Sequence, residues 1–338
     1  MRLVVSLLIL LVLWGTPASA QSYFPGPEGW RTAHPRTQGM DAAQLERARF
    51  EMTDDQGNAI EAFTAIVIRN GYDVWHYGTP YALPGTLARQ TDWASCGRSL
   101  MATMFGMAMH EAGDSVAVVE QPVNQSFNSP AAMAFDDDVL VKHLLSYTSC
   151  ADPPGSDWNY ACNYFEMYKI LRDVDGMNPA HRLARLGEMI DASWTPFEFW
   201  GHGQDVPFLT IKAHAADAAR WGYLWMNHGN WNGTQVVDSA FVELSLQPIV
   251  GPDGSFAHAS EGYQIHLNTG GMWGSEIPSD AYAALGAGGR IIFVVPSLNL
   301  VVASISTPGA YHRQMVDGEQ HRDLRNMYEP ILRAIVDR

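Results

Sequence analysis

The order of elements along this 338-residue chain predicts an α+β fold, with a mostly antiparallel sheet built from both ends of the chain. Three observations predict it. Phe63–Arg69, then Asn70-Gly71, then Tyr72–Tyr77 reads as a β-hairpin near the N-terminus, because Asn-Gly is the preferred pair where both turn residues need positive φ. Apolar runs at Arg290–Val295 and 300–304 read as a second strand pair near the C-terminus, turned by Pro296-Ser297-Leu298-Asn299. Between them, from about 120 to 250, helical spacing recurs among loops.

Taken in order, residues 41–52 form a first helix with Asp41 as N-cap. Residues 98–111 are apolar on nearly every side, the mark of a buried helix, and Gly113 ends it. Residues 139–147, Tyr164–Val174 and 217–229 have helical spacing, 262–267 reads as a strand, and 320–336 as a terminal helix that Pro330 kinks or interrupts. The mature chain, 21–338, reads as one domain. A sheet part spans about 40–92 and 255–338, and a helical part about 93–254. No linker is long enough to separate independent units.

Composition narrows the function. Hydrophobic residues make up 47% and charged residues 17%, which is a chain that folds rather than a disordered one. A net charge of −15 with no Lys/Arg cluster argues against nucleic acid, whose phosphates need a cationic face. Residues 1–20 read as a secretory signal peptide. Arg2 is a short positive region, residues 3–14 an apolar run too short for a hydrocarbon core of about 30 Å, and Ala18-Ser19-Ala20 a cleavage signal. An exported protein, periplasmic or extracellular, without a stable membrane anchor is expected.

Export permits disulfides. Cys150 and Cys162 flank a Pro/Gly-bearing loop, and whether they bridge is open from sequence, which does not fix their geometry. Cys96 is then unpaired. Cysteine and histidine spacing makes no zinc site, and no metal or cofactor is expected.

The sequence lacks a Gly-x-Ser-x-Gly elbow, a His-Glu-x-x-His pair, a phosphate-binding loop and a dinucleotide fingerprint. One segment carries chemistry. Ser95 opens the buried helix, where free N–H groups and the positive helix end converge. There it serves either as an N-cap or as a nucleophile.

Several landmarks follow in order. They are Ser95-Cys96-Gly97-Arg98 running into the helix that ends at Gly113, the segment 141–150 ending in Ser149-Cys150, and Trp158-Asn159-Tyr160-Ala161-Cys162. Then come Asp217-Ala218-Ala219-Arg220-Trp221-Gly222, Gly229-Asn230-Trp231-Asn232-Gly233, and Gly286-Ala287-Gly288-Gly289 before a strand. In that order, over about 40–335, the chain resembles the serine β-lactamase and penicillin-binding-protein-like family. The branch it resembles holds class C β-lactamases, esterases and 6-aminohexanoate-oligomer hydrolases. The resemblance implies a β-lactamase/transpeptidase-like fold, an antiparallel sheet flanked by helices plus a mainly helical subdomain. It also implies an acyl-enzyme mechanism on small esters or amides.

Carried over position by position, Ser95 falls at the acylated nucleophile, Arg98 at the lysine of Ser-x-x-Lys, and Tyr160 at the proton-shuttling tyrosine. Cys162 takes the position of that motif's asparagine. The backbone N–H groups of Ser95 and Ala287 are implied as the oxyanion hole, with Gly286 and Arg290 beside the substrate. Arg290 either faces the cleft or simply starts a strand, and Tyr160 has the alternative of a buried structural tyrosine.

The departures are informative. None of Lys142, Lys169 and Lys212 has a serine three residues before it, so no Ser-x-x-Lys exists in the chain. Arginine keeps its proton at ordinary pH and is no general base. It is expected instead to hold Ser95 and Tyr160 by hydrogen bonds and to lower the tyrosine pKa through its charge. Ala284-Leu285-Gly286 replaces the Lys-Thr-Gly or His-x-Gly motif and removes a cation for substrate carboxylates. Two readings follow: a serine hydrolase, or a catalytically silent relative that binds an envelope or extracellular ligand.

Overall fold

Both chain ends meet in one six-stranded antiparallel sheet, as the element order predicts. The computed structural model describes residues 23–53, 63–78, 90–113, 116–162, 164–174, 178–201, 205–258, 260–306 and 320–337, and the proposed leader 1–20 lies outside these. In chain order the elements begin with α1 (Ala42–Glu51), β1 (Phe63–Arg69), β2 (Tyr72–Tyr77), β3 (Thr91–Asp92), α2 (Cys96–Ala112), α3 (Val123–Ser126), α4 (Val141–Leu145) and α5 (Tyr164–Val174). The middle continues with α6 (Pro179–Met189), β4 (Thr195–Phe199), β5 (Phe208–Ala213), α7 (Ala215–Met226), β6 (Asn230–Trp231), β7 (Thr234–Gln235) and α8 (Ser239–Ser245). The chain closes with β8 (Ile249–Val250), β9 (Phe256–His258), β10 (His266–Leu267), β11 (Tyr282–Gly286), β12 (Arg290–Val295), β13 (Leu300–Ser306) and α9 (Gln320–Leu332).

The main sheet runs β10-β11-β12-β13-β1-β2, with N-terminal β1 hydrogen-bonded to C-terminal β13 over Phe63↔Ser306 to Arg69↔Leu300. Its strands alternate between two cores because successive side chains point to opposite faces. Ile66, Ile68, Ile292, Val294, Val301 and Ala303 face the larger core, which holds α2 and α7. Val67, Ile291, Phe293, Val295, Leu300 and Val302 face a second core closed by α1 and α9. The N-cap of α1 is Asp41, whose Oδ1 accepts from Ala43 N at 2.8 Å and Gln44 N at 3.0 Å. The hairpin turn has φ of 52° at Asn70 and 84° at Gly71.

The middle departs from the sequence reading in one respect that matters for the site. It holds a second, three-stranded antiparallel sheet, β3-β5-β4, that the helical reading of 93–254 did not anticipate. Residues 262–267, read as a strand, form one only at His266–Leu267, and α9 continues past Pro330 to Leu332.

The second core is locked by Phe293 of β12, which stacks on Tyr328 of α9 with ring centroids 4.2 Å apart, while the Tyr328 hydroxyl lies 2.9 Å from Ser304 Oγ. Phe293→Ala is expected to cost about 3–5 kcal/mol of stability, measured by urea denaturation. A loss under about 1 kcal/mol would show that this stack does not hold the C-terminal helix to the sheet.

Candidate active site

Ser95 is presented by a short turn between two elements. Trp93 is fully buried, and its N–H donates to Ile211 O of β5 at 2.9 Å, which fixes the end of β3. Ala94 then takes a left-handed φ of 43°, Ser95 follows at φ −68°, and α2 begins at Cys96. The Ser95 side chain makes no capping bond to its helix. It hydrogen-bonds the side chain of Tyr160 instead. Its own N–H lies in the first turn, where helix amides lack an intrahelical carbonyl.

Tyr160 comes from the loop between α4 and α5. Cys150 and Cys162 are joined by a disulfide with Cα atoms 6.0 Å apart, so the bridge that sequence left open is formed. Asn159 N donates to Tyr147 O at 2.9 Å and Cys162 N to Asn159 O at 2.9 Å, which turns the chain around Tyr160. The rings of Tyr147, Trp158 and Tyr160 pack mutually, with centroids 5.6–6.0 Å apart.

Arg98 lies one helical turn after Ser95, with its guanidinium on the face of the Tyr160 ring, 3.9 Å from the centroid. Tyr164, Tyr147 and Phe208 surround it at 5.2, 5.4 and 5.8 Å. It hydrogen-bonds Tyr147, but its buried Nε and Nη1 find no partner among the described residues. Burial works against the charge of Arg98. The phenols of Tyr147, Tyr160 and Tyr164 more than offset that, and its pKa stands above the arginine norm.

The electrostatics correct the sequence reading of Tyr160. Burial pushes its phenol above the ordinary tyrosine range, and the Arg98 charge and the Ser95 hydrogen bond recover only part of that rise. Arg98 meets the flat face of the ring rather than reaching along its edge to the hydroxyl.

The far side of the site is the end of β11. A Cβ on Gly286 would stand 2.5 Å from Trp93 O, so glycine here lets β11 abut the turn that carries Ser95. Ala287 follows, exposed, at the strand end. Arg290 donates from Nε to Asp92 O at 2.5 Å and from Nη1 to Ala287 O at 2.6 Å, and its Nη2 lies 3.4 Å from Asp92 Oδ2.

The cleft over Ser95 measures about 660 Å³ and is lined by Ser95, Arg98, Phe165, Phe197, Phe199 and Phe208, among others. Phe197 and Phe199 come from β4 and Phe208 from β5, the strands missed in the sequence. Among the described residues no cluster of His, Cys, Asp and Glu is arranged to hold a metal ion.

Three solved structures share this architecture. A penicillin-binding protein homologue from Caulobacter crescentus superposes with a TM-score of 0.61 at 15% identity, over 86% of this chain and 99% of that one. A family VIII carboxylesterase gives 0.59 at 14%, over 87% and 99%. A Bacillus anthracis protein assigned as a 6-aminohexanoate-dimer hydrolase gives 0.59 at 15%, over 91% and 89%. The protein has the β-lactamase/penicillin-binding-protein-like fold. The chain matches no protein-family model and no curated protein sequence.

Within this β-lactamase-like fold, Ser95, Arg98 and Tyr160 come together, while Gly286, Ala287 and Arg290 end the strand beside them. Two expectations change. Cys162 is buried with its sulfur in the bridge, so it offers the substrate no polar group in place of an asparagine amide. Arg290 has its donors on Asp92 and Ala287 O, where it clamps β11 to β3 instead of facing a ligand. Cys96 is buried with its pKa raised by desolvation, so its thiol is no rival to Ser95. Sequence reasoning missed Tyr147, Tyr164 and the phenylalanines of the cleft. The alternation Phe197-Glu198-Phe199 was the available signal for β4.

With three cysteines in the chain and one bridge, thiol titration without reductant is expected to find one reactive thiol per chain in guanidinium and none in the native protein. Three thiols in guanidinium would contradict the bridge.

Proposed function

We propose that the protein is a serine hydrolase that acts on small esters or amides through an acyl-enzyme on Ser95. The observation that carries this reading is the hydrogen bond between Ser95 and Tyr160 at the mouth of an apolar cleft, with the serine side chain left uncapped. The carboxylesterase and penicillin-binding-protein relatives of the fold support it.

In the acylation step, Ser95 Oγ attacks the substrate carbonyl and loses its proton toward Tyr160, while the N–H groups of Ser95 and Ala287 receive the developing oxyanion. The leaving alcohol or amine departs with a proton, and water then cleaves the acyl-serine ester. Arg98 supplies fixed positive charge beside the phenol and takes no proton. Arg290 positions the Ala287 turn through its carbonyl. Export is part of the proposal. It rests on residues 1–20, and the disulfide suits an oxidising compartment.

A second reading, a catalytically silent binder, is favoured by the same phenol. With its pKa raised, Tyr160 is protonated at neutral pH and a poor base. The two readings separate on pH. A fluorophosphonate probe is expected to label Ser95, found by mass spectrometry and lost in Ser95→Ala. The labelling rate should climb about tenfold per pH unit, with no plateau below about pH 10, because the base form of a phenol with a raised pKa accumulates only above the ordinary value. No labelling at any pH would leave the binder. Arg98→Lys should shift this rise to lower pH, since burial among aromatic rings depresses an ammonium pKa and makes the amine a base. An unmoved profile would show that the residue at 98 does not govern proton transfer.

A further inference from the structure

We propose that the cleft beside Ser95 is an acyl pocket for neutral, apolar acyl groups, and that it rejects ligands that carry a carboxylate. This names the substrate class for the hydrolase reading and rests on it for turnover, though not for binding. The cleft volume of about 660 Å³ lies within the range of small-molecule sites. Its walls are aromatic from three elements: Phe165 on α5, Phe197 and Phe199 on β4, and Phe208 on β5. Phe199 and the adjoining Trp200 are each 60% exposed, which leaves an apolar rim that an acyl chain would cover.

The charges near the cleft argue for the same class. Arg98 is turned onto the Tyr160 face, with Nε and Nη1 buried. Arg290 is held by Asp92 and Ala287 O. Lys212 lays its Nζ on the Phe197 ring at 4.0 Å and does not line the cleft. Asp92, which does line it, presents a carboxylate that is 38% exposed. Among the described residues lining the cleft, an incoming carboxylate would therefore lose its hydration against no cation but the guanidinium of Arg98, whose Nε and Nη1 are buried, and would face Asp92. The overall charge of −15 also slows the approach of anions.

Two ligands of nearly one shape test this: 4-phenylbutanamide and 4-phenylbutanoate, titrated by calorimetry into full-length Ser95→Ala protein at neutral pH. The amide is expected to bind at least about tenfold more tightly than the carboxylate. Adding Phe199→Ser to that background should weaken the amide at least about threefold, and circular dichroism checks that the fold is kept. Equal or tighter carboxylate binding would overturn the proposal, as would absence of amide binding at millimolar concentration. Because no turnover is needed, amide binding in a protein that fluorophosphonate never labels would sink the hydrolase reading alone. Labelling without amide binding would sink this proposal alone.

Discussion

A guanidinium buried among aromatic rings keeps its charge because ring faces stand in for part of the lost water. That contact between Arg98 and Tyr160 organises the rest of the site. It holds the phenol in place from its flat face, which leaves the hydroxyl edge to Ser95. It also keeps a fixed positive charge near Ser95 without supplying a group that can take up a proton. In the proposed acylation the Ser95 proton would go to the phenol or to solvent, and burial makes the phenol reluctant to ionise. On the proposed mechanism, the placing of the phenol at Ser95 and its handicap as a general base therefore have one cause, the aromatic surroundings that suit arginine at position 98.

The fold delivers these groups from distant parts of the chain. The strand end at Gly286–Ala287 belongs to the main sheet through β11, and the turn at Trp93–Ser95 follows β3 of the three-stranded sheet. Arg290 ties them directly by spanning Asp92 and Ala287 O. The third component, Tyr160, hangs on the loop between α4 and α5, against Tyr147 and Arg98. The Cys150–Cys162 bridge restrains it, a stabilisation of about 3 kcal/mol for a loop of this length in the chain-entropy account. These ties let a surface loop meet a buried helix start with the accuracy a hydrogen bond requires.

Much of this was legible in the residues. The Asn70-Gly71 hairpin, the Asp41 cap, the apolar helix ending at Gly113 and the terminal strand pair have local signals strong enough to survive tertiary context. Ser95 and Tyr160 were found as partners through the ordered landmarks, not through spacing, since a separation of 65 positions carries no periodic signal. What stayed hidden depended on side-chain direction. Whether Arg98 meets the edge or the face of a ring, and whether burial or a nearby cation governs a phenol, is decided in three dimensions. β4 and β5 fell within the mainly helical stretch because each is short and neither alternates cleanly between buried and exposed positions: β4 is nowhere fully buried, and β5 is buried at four of its six positions. Cys162 and Arg290 were assigned to the ligand by position in a motif. Their actual partners, a cysteine twelve residues back and a carboxylate nearly two hundred away, could not be read from that position.

The central claim is that burial outweighs the Arg98 charge at Tyr160. Carbon-13 NMR titration of ring-labelled tyrosine, with the Tyr160 resonance assigned by its loss in Tyr160→Phe, measures this directly. The account predicts a midpoint above the value of about 10 of a free tyrosine. A midpoint at or below about 9 would contradict it, because the guanidinium would then dominate the phenol and a competent base would already stand beside Ser95.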